Sequence, residues 1–501
     1  MSILSHIFSP EVLLAMFLGG LYGAVFGAIP GLTATLALSL FIPFALFLPP
    51  EVGFAAIVSL TATAIFAGDI GSVLVRIPGT PASAAYTEEI YDLGQEQDPS
   101  YALGIASILS ALGSLVGTGL LVVGAYGMAV VARQFSSFEY FWLVLLGVSS
   151  GILGSPHVLK GLVAFALGML LATIGYDPAL GHPRFTFGNP NLLGGVDFIV
   201  ALIGLFGLSE VFYQLLKGPQ IKPQPLSPGF PRPREVARRF FLDPLRLTVR
   251  EWWLFLHSSL LGTFIGFLPG AGSDTAAWIT SNLKRLTRGT KEQVVLAGTA
   301  ANNAAVAGAW IPALSLGIPG DTLTAIILGL FLTLGIHPGP ELFRNHLNLV
   351  AVIYGVFLLA SVVIMPLVGY LGVFLAGFAF KLPRGILLGI IAGVSLIGAY
   401  AINNNPFDLY VLALLGVLGV LLRLGDFPVG QVVLGLVLGP MLEQHFMVSM
   451  IKTHWNLLSF FERPVAILLA LANLGLLVGM LWLRLKQARR LQALRNPLEE
   501  R

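Results

Sequence analysis

The stretch G-A-V-F-G-A-I-P-G at residues 23–31 returns at residues 262–270 as G-T-F-I-G-F-L-P-G, so the pattern G-x-x-x-G-x-x-P-G occurs twice. A second motif follows each copy: I-P-G-T at residues 77–80 and I-P-G-D at residues 318–321. The copies of the two motifs lie 239 and 241 residues apart. Two landmarks that recur at nearly the same offset indicate a tandem duplication.

The composition around these motifs is that of a membrane protein. Of the 501 residues, 56% are hydrophobic and only 11% are charged, and the mean hydropathy is +0.86. Soluble globular chains carry roughly 25% charged residues. These values exclude a soluble enzyme, a disordered chain and a nucleic-acid binder. The absence of cysteine excludes disulfides, cysteine-ligated metals and thiol catalysis.

Apolar stretches of about 17 residues or more, long enough to cross the hydrocarbon core, recur along the whole chain. We predict an all-α polytopic membrane protein with about 12 transmembrane segments in two homologous halves. The predicted parts are a first membrane repeat (1–215), a basic, Pro-rich linker (216–250), a second membrane repeat (251–483) and a basic tail (484–501). The apolar stretches lie near 12–48, 52–76, 102–132, 138–156, 158–175, 194–215, 252–282, 294–316, 322–336, 347–378, 385–402, 406–423, 427–441 and 463–483.

Charge sets the predicted orientation. The linker has eight basic residues and seven prolines, so we expect a semi-extended loop, and the positive-inside rule places it and the basic tail in the cytoplasm. Basic residues flank the stretch 252–282 on both sides. If both flanks are cytoplasmic, this stretch forms a hairpin with its tip at Pro269-Gly270. The equivalent stretch 12–48 has no basic flank, which favours opposite orientation and therefore inverted repeats. A parallel repeat with an uncharged N-terminus is the alternative.

Paired helices interrupted by Gly and Pro at corresponding positions of two halves are the best sequence pointer to a transporter's binding site. A helix that restarts after Pro-Gly presents unpaired N–H groups, which attract anions. We therefore predict a site for an anion; local capping is the alternative role of its hydroxyl and acidic residues. The predicted anion-binding residues are Pro78, Gly79, Thr80, Ser83, Asn302, Asn303, Pro319, Gly320 and Thr322.

A second group is predicted at the hairpin tips and for coupling to Na⁺ or H⁺. Carboxylates are costly in an apolar span, which makes Asp69 and Asp274 candidates to bind a cation. Asp69 has an alternative role, the neutralisation of Arg76, and Asp321 has one as an N-cap. The members of the group are Pro30, Gly31, Thr33, Asp69, Pro269, Gly270, Ser273 and Asp274.

The motifs resemble those of a known family. I-P-G-T-P-A-S-A-A at 77–85, A-A-N-N-A-A at 300–305, L-G-I-P-G at 316–320 and H-P-G-P at 337–340 are similar to the large membrane subunit of tripartite tricarboxylate transporters, the TctA family. The resemblance implies a multi-pass permease of the bacterial inner membrane, driven by a cation gradient. It implies two partners, a small four-span membrane subunit and a periplasmic solute-binding protein, and import of di- or tricarboxylates or related anions.

The sequence also departs from the family pattern. G-D-I-G-S at 68–72 stands where the family usually reads Gly-Gly-Ser-Ile, and E-E-I-Y-D-L at 88–93 replaces the usual Asp-Gly-x-Pro-Met stretch. Asp321 stands where a small residue is common. These departures concern the substrate rather than the fold.

Two other classes are weighed against transport. G-V-S-S-G at 147–151 matches G-x-S-x-G of serine hydrolases, but a nucleophile elbow needs a strand–turn–helix context and this stretch predicts a helix. A passive anion channel is the other alternative, although a pore needs no pair of matching helix breaks. We predict no catalytic residue, no metal site and no cofactor beyond the coupling ion.

Overall fold

The chain is described here from a computed structural model, which covers residues 3–29, 31–155, 157–177, 181–217, 233–270, 272–379 and 383–479. These residues form α-helices almost throughout, with one short antiparallel hairpin among them, β1 (Gly175–Tyr176) and β2 (Pro183–Arg184). An all-α membrane protein is therefore confirmed.

The first half contains eleven described α-helices. Ile105–Leu109 continues α6 into α7 as a π-helical turn, and Ile203–Leu208 does the same between α10 and α11. The helices are α1 (Ile3–Ile7), α2 (Pro10–Ala28), α3 (Ala34–Ala45), α4 (Pro50–Val75), α5 (Thr87–Glu96), α6 (Pro99–Gly104), α7 (Ser110–Ala132), α8 (Ser137–Gly154), α9 (Val158–Ala172), α10 (Phe198–Leu202) and α11 (Ser209–Lys217).

The linker and the second half continue the same architecture. The linker helices are α12 (Pro233–Ala237) and α13 (Asp243–Arg250). The second half has α14 (Trp252–Phe267), α15 (Gly272–Leu286), α16 (Lys291–Leu316), α17 (Thr322–Thr333), α18 (Leu342–Asn345), α19 (Leu347–Leu359), α20 (Met365–Ala379), α21 (Arg384–Asn403), α22 (Phe407–Leu424), α23 (Val429–Lys452) and α24 (Pro464–Gly479).

In the described part of the chain, nine helices are long and apolar enough to cross a membrane, and six shorter apolar helices accompany them. The count of about 12 crossings therefore stays a prediction. The apolar windows of α4 and α16 are completely buried, so these two helices form the centre of the molecule. Each follows a pair of helices separated by a Pro-Gly break, α2 and α3 or α14 and α15.

The repeated glycines pack against the two central helices, α4 and α16. A Cβ added at Gly23 would overlap the backbone carbonyl of Leu60 on α4, and one added at Gly262 would overlap that of Ala301 on α16. Gly266, one turn further along α14, has the same relation to Ala305. The G-x-x-x-G motifs thus let two pairs of helix backbones approach to contact distance, as small residues do in membrane helix packing.

The second motif repeats its contacts as well. A Cβ at Gly79 would overlap Gly27 and Gly68, and a Cβ at Gly320 would meet Gly266 and Ala309. The contacted residues of the second half are 239 or 241 residues beyond those of the first. The sequence repeat is therefore a repeat of backbone packing.

The predicted semi-extended linker is wrong for residues 233–250, because these are helical; residues 218–232 lie outside the described residues. Arg238–Leu242 joins α12 and α13 as a π-helical turn. Two of the prolines, Pro233 and Pro244, fall in the first turn of a helix. A proline there loses no intrahelical hydrogen bond, so a Pro-rich stretch is compatible with helices.

We predict that Gly266→Val destabilises the protein by about 1–3 kcal/mol or more, because the added side chain forces α14 away from the backbone of α16. Gly119→Val is the matched control, since nothing lies within 4 Å of a Cβ at Gly119 on α7. The measurement is the thermal midpoint of each variant in detergent. Equal midpoints would contradict the packing role of the motif.

Candidate functional site

The helix breaks of each half touch one another. Gly31 and Gly270 have φ of +94° and +79°, a region that glycine adopts without strain. In the second half the N–H of Gly270 donates to the carbonyl of Gly320 at 2.7 Å. In the first half the contact runs through Gly27 to Gly79. Pro30 lies outside the described residues, so the first tip is known from Gly31 onward.

The breaks of the first half also contact those of the second half. The indole N–H of Trp278 on α15 donates to the carbonyl of Pro81 at 3.0 Å. The carboxylate of Asp274 accepts a hydrogen bond from the backbone N–H of Ala82 and lies near the carboxylate of Asp321. The segment after Pro78-Gly79 is thus in contact with the start of α15, which follows Pro269-Gly270.

Several predicted hydroxyl and acidic groups cap helices or turns. Thr80 and Ser83 bond each other, with the Ser83 N–H and the Thr80 Oγ1 3.2 Å apart. The hydroxyl of Thr33 accepts from the N–H of Leu36 at 3.1 Å. Asp321 forms a capping box with Thr324, which donates its N–H at 2.8 Å. The capping role foreseen for these residues is present in the structure.

Two predicted hydroxyls have no such role. Neither Ser273 nor Thr322 forms a side-chain hydrogen bond to another described residue. Ser273 lies in the first turn of α15, beside Asp274. Thr322 opens α17, and a Cβ added at Gly430 would meet its hydroxyl. These two groups remain available to a ligand at the breaks.

A separate polar cluster lies where α4 passes α16. Asp69 is completely buried and accepts from the hydroxyl of Tyr86, which lies 3.0 and 3.1 Å from its two carboxylate oxygens. The amide of Asn302 lies beside the same hydroxyl. Neither the nitrogen nor the oxygen of Asn302 bonds another described residue, although the side chain is completely buried. An unpaired buried polar group costs about 1–3 kcal/mol.

Asp69 differs from the other buried acidic residues in its partners. Asp321 caps α17, and Asp408 accepts from the amide of Asn403 at 2.9 Å. Glu139 bonds Arg463 at 2.8 Å, and Glu210 pairs with Arg423. Among the described residues Asp69 has no ion pair. The alternative that Asp69 neutralises Arg76 is wrong, because Arg76 pairs with Glu88 and lies over the ring of Tyr91.

Asn303 occupies the crossing of the two central helices. Its amide nitrogen donates to the carbonyl of Ala62 at 3.0 Å, and its amide oxygen has no partner among the described residues. Ala62 is the residue equivalent to Asn303 in the first half, 241 positions earlier. The two asparagines predicted at one anion site therefore face different surroundings.

Sequence reasoning missed Tyr86. The segment after Thr80 turns back along α4, where Thr87 bonds Ser72 at 3.0 Å, and this brings the Tyr86 ring beside Asp69. Seventeen positions separate the two residues in sequence. No periodicity within a single helix relates them, so only the direction of the chain after Pro78-Gly79 would have revealed the pair.

The G-x-S-x-G match lies inside α8, where a nucleophile elbow cannot form. Ser150 donates to the carbonyl of Gly147 within the helix at 3.1 Å. A Cβ at Gly147 would contact Pro269, and the backbone of Gly151 lies against Gly270. These glycines let α8 pack on the second hairpin tip.

Comparison with known proteins gives the following matches. A family model described as the Tripartite tricarboxylate transporter TctA family matches residues 13–434. An uncharacterized 52.8 kDa protein in the TAR-I ttuC′ 3′ region of Agrobacterium vitis is 31% identical over 490 residues, 94% of this chain and 93% of the relative. A protein in the TAR-II ttuC′ 3′ region of that organism is 35% identical over 235 residues, 44% of this chain and 93% of the relative. No solved structure matches significantly.

We predict that Asp321→Ala destabilises the protein by about 0.5–2 kcal/mol, because α17 loses its N-cap. Asp321→Asn keeps a side-chain oxygen for the N–H of Thr324 and should stay close to the parent. Thermal unfolding in detergent compares the three proteins. A loss of the same size in both variants would show that the charge, rather than the cap, matters.

Proposed function

Because the chain belongs to the tripartite tricarboxylate transporter TctA family, we propose that it is the large membrane subunit of a permease that imports a small organic anion, driven by a cation gradient. The proposed substrates are di- or tricarboxylates or related anions. The proposed partners are a small four-span membrane subunit and a periplasmic solute-binding protein. The proposed location is the bacterial inner membrane, with the C-terminus in the cytoplasm.

We propose that the halves are inverted repeats. The contact of Asn303 with its equivalent, Ala62, supports a pseudo-twofold axis at that point. Further along α4, Asp69 bonds Tyr86, whose ring lies against Gly298, an earlier residue of α16. In inverted repeats, equivalent helices cross in opposite directions at equivalent residues. In parallel repeats, equivalent helices would run in the same direction.

The coupling cation is proposed to bind at Asp69, Tyr86 and Asn302. A buried carboxylate is stable only when it is neutralised, since the cost of burying an isolated charge is far greater than that of burying a neutral group. Asp69 has a hydroxyl donor and no described cation, and the unpaired amide oxygen of Asn302 is a further ligand for Na⁺. If the coupling ion is H⁺, the carboxylate of Asp69 is sufficient to bind it. This single observation, the uncompensated acid in the core, supports cation coupling most directly.

We therefore propose Asn302 as a ligand of the cation rather than of the anion. Its neighbour Asp69 would repel an anion in the low-dielectric core. The anion is proposed to bind at the breaks instead, where the free hydroxyls of Ser273 and Thr322 lie close to Asp274 and Asp321. Asp274 and Asp321 would repel the anion unless they are neutralised. We therefore propose that a proton or a second cation, distinct from the one at Asp69, binds at the breaks before the anion does.

The experiment is uptake of radiolabelled citrate and succinate into proteoliposomes that contain this chain, its small membrane subunit and its solute-binding protein. A Na⁺ gradient and a pH gradient are imposed separately. Accumulation against the anion gradient supports a coupled carrier and identifies the ion. Flux that only equilibrates the anion would support a channel, and labelling of Ser149 or Ser150 by a fluorophosphonate would support a hydrolase.

We predict that Asp69→Asn lowers gradient-driven accumulation by about 5- to 150-fold, the usual range of a coupling free energy. Exchange of labelled for unlabelled anion should persist, because the variant is isosteric and leaves the breaks intact. Asp98→Asn is the control, since Asp98 caps α6 outside the core and asparagine keeps the cap. Normal coupling in Asp69→Asn would exclude Asp69 as the cation ligand.

We predict that Thr322→Val lowers the apparent affinity for the anion by roughly 5- to 150-fold, because a ligand oxygen loses a partner at a cost of about 1–3 kcal/mol. Thr333→Val in the last turn of the same helix is the control, since its hydroxyl bonds only Gly329. Initial uptake rates over a range of substrate concentrations give the affinities. Equal affinities would exclude Thr322 from the site.

A further inference from the structure

The linker helix α13 has an exposed apolar side. Leu245 and Val249 are exposed, Val249 to 75%, and Leu242 extends the same strip just before the helix. Leu247 is buried on the opposite side of α13. A single non-helical residue, Glu251, separates α13 from α14, whose first residues, Trp252 and Trp253, are also exposed. Exposed tryptophans at the start of a membrane helix are typical of the headgroup level of a bilayer.

Two cavities lie along α13 and share two arginines. The larger, of about 650 Å³, is polar and is lined by Gln97, Tyr101, Glu235, Arg238, Arg239, Asp243, Arg246, Leu247 and Arg250. The smaller, of about 410 Å³, is mainly apolar and is lined by Leu242, Leu245, Arg246, Val249 and Arg250. Arg246 and Arg250 thus stand between a polar groove and an apolar one.

The polar groove contains arginines that carboxylates neutralise to different degrees. Its lining has four arginines and two carboxylates. Arg250 is bonded to Glu292 at 2.7 Å, and Arg239 lies 3.4 Å from Asp98. Arg246 has only a 3.5 Å contact with Asp243, and its side chain is 68% exposed. Arg238 forms no ion pair within the described ranges. Arg238, and Arg246 through the N–H groups that do not face Asp243, are therefore able to meet an anion.

We propose that this groove binds an anionic phospholipid. The phosphate would lie at Arg238 and Arg246, and an acyl chain would lie along the strip Leu242, Leu245 and Val249. Basic pockets at the cytoplasmic ends of membrane helices bind acidic lipid headgroups, and an amphipathic helix buries its apolar side at the same depth. A free phosphate compound would leave the apolar cavity empty. The site tethers the joint between the two halves to the inner leaflet.

The experiment is native mass spectrometry of the purified full-length chain with phosphatidylglycerol or phosphatidylcholine added at equal concentration. We predict preferential retention of phosphatidylglycerol. Arg246→Gln should lower that retention about fivefold, as expected for one basic residue near an anionic surface. Arg288→Gln is the matched control, because Arg288 is exposed in the turn before α16 and lies in neither cavity.

Two further measurements identify the ligand. Leu245→Gln should also lower phosphatidylglycerol retention while leaving every arginine in place, and glycerol phosphate should not compete with the lipid. Equal retention of the two lipids, equal retention by Arg246→Gln and Arg288→Gln, or displacement by glycerol phosphate would each overturn the proposal. Retention unchanged in Leu245→Gln would likewise overturn the acyl-chain contact. None of these outcomes depends on transport.

Discussion

Backbone contact between a glycine helix and a buried helix is the constraint on which the molecule depends. In each half a glycine of G-x-x-x-G lies directly on a carbonyl of the central helix, at Leu60 on α4 or at Ala301 on α16. This contact fixes the depth of the hairpin tip and therefore the position of the next break, at Gly79 or Gly320. Small residues are required because nothing larger fits between the backbones. The positions of Ser273 and Thr322 follow from this packing, since both residues lie just after those breaks.

The cation and the anion are proposed to bind in two different places. Asp69 lies in the core of α4, where no described cation balances it, and is suited to a cation. Ser273 and Thr322 lie at the breaks, where free hydroxyls are suited to a larger ligand. The two places share no ligand, so the cation proposed at Asp69 and the anion proposed at the breaks would occupy separate sites. Each place contains side chains without a hydrogen-bond partner among the described residues, Asn302 in the core and Ser273 and Thr322 at the breaks.

Much of the fold could be predicted from the sequence, because apolar length and repeated Pro-Gly steps are local signals. The broken helices, the central role of the motifs and the cap at Asp321 all follow from such signals. Tyr86 could not be predicted, since its relation to Asp69 depends on the direction of the chain after Gly79. The helix 243–250 was also missed, because prolines in a first turn resemble those of a loop.

The contact between Gly23 and α4 is made with a carbonyl oxygen, and every residue has one. This contact therefore makes no demand on the side chain of the receiving residue, whereas it requires the glycine. The two halves differ at this position: leucine stands at residue 60 and alanine at residue 301, and the backbone contact with the opposing glycine is the same. Duplicated halves joined in this way diverge in one partner without losing their common architecture. That one-sided tolerance gives each half room to acquire its own ligands.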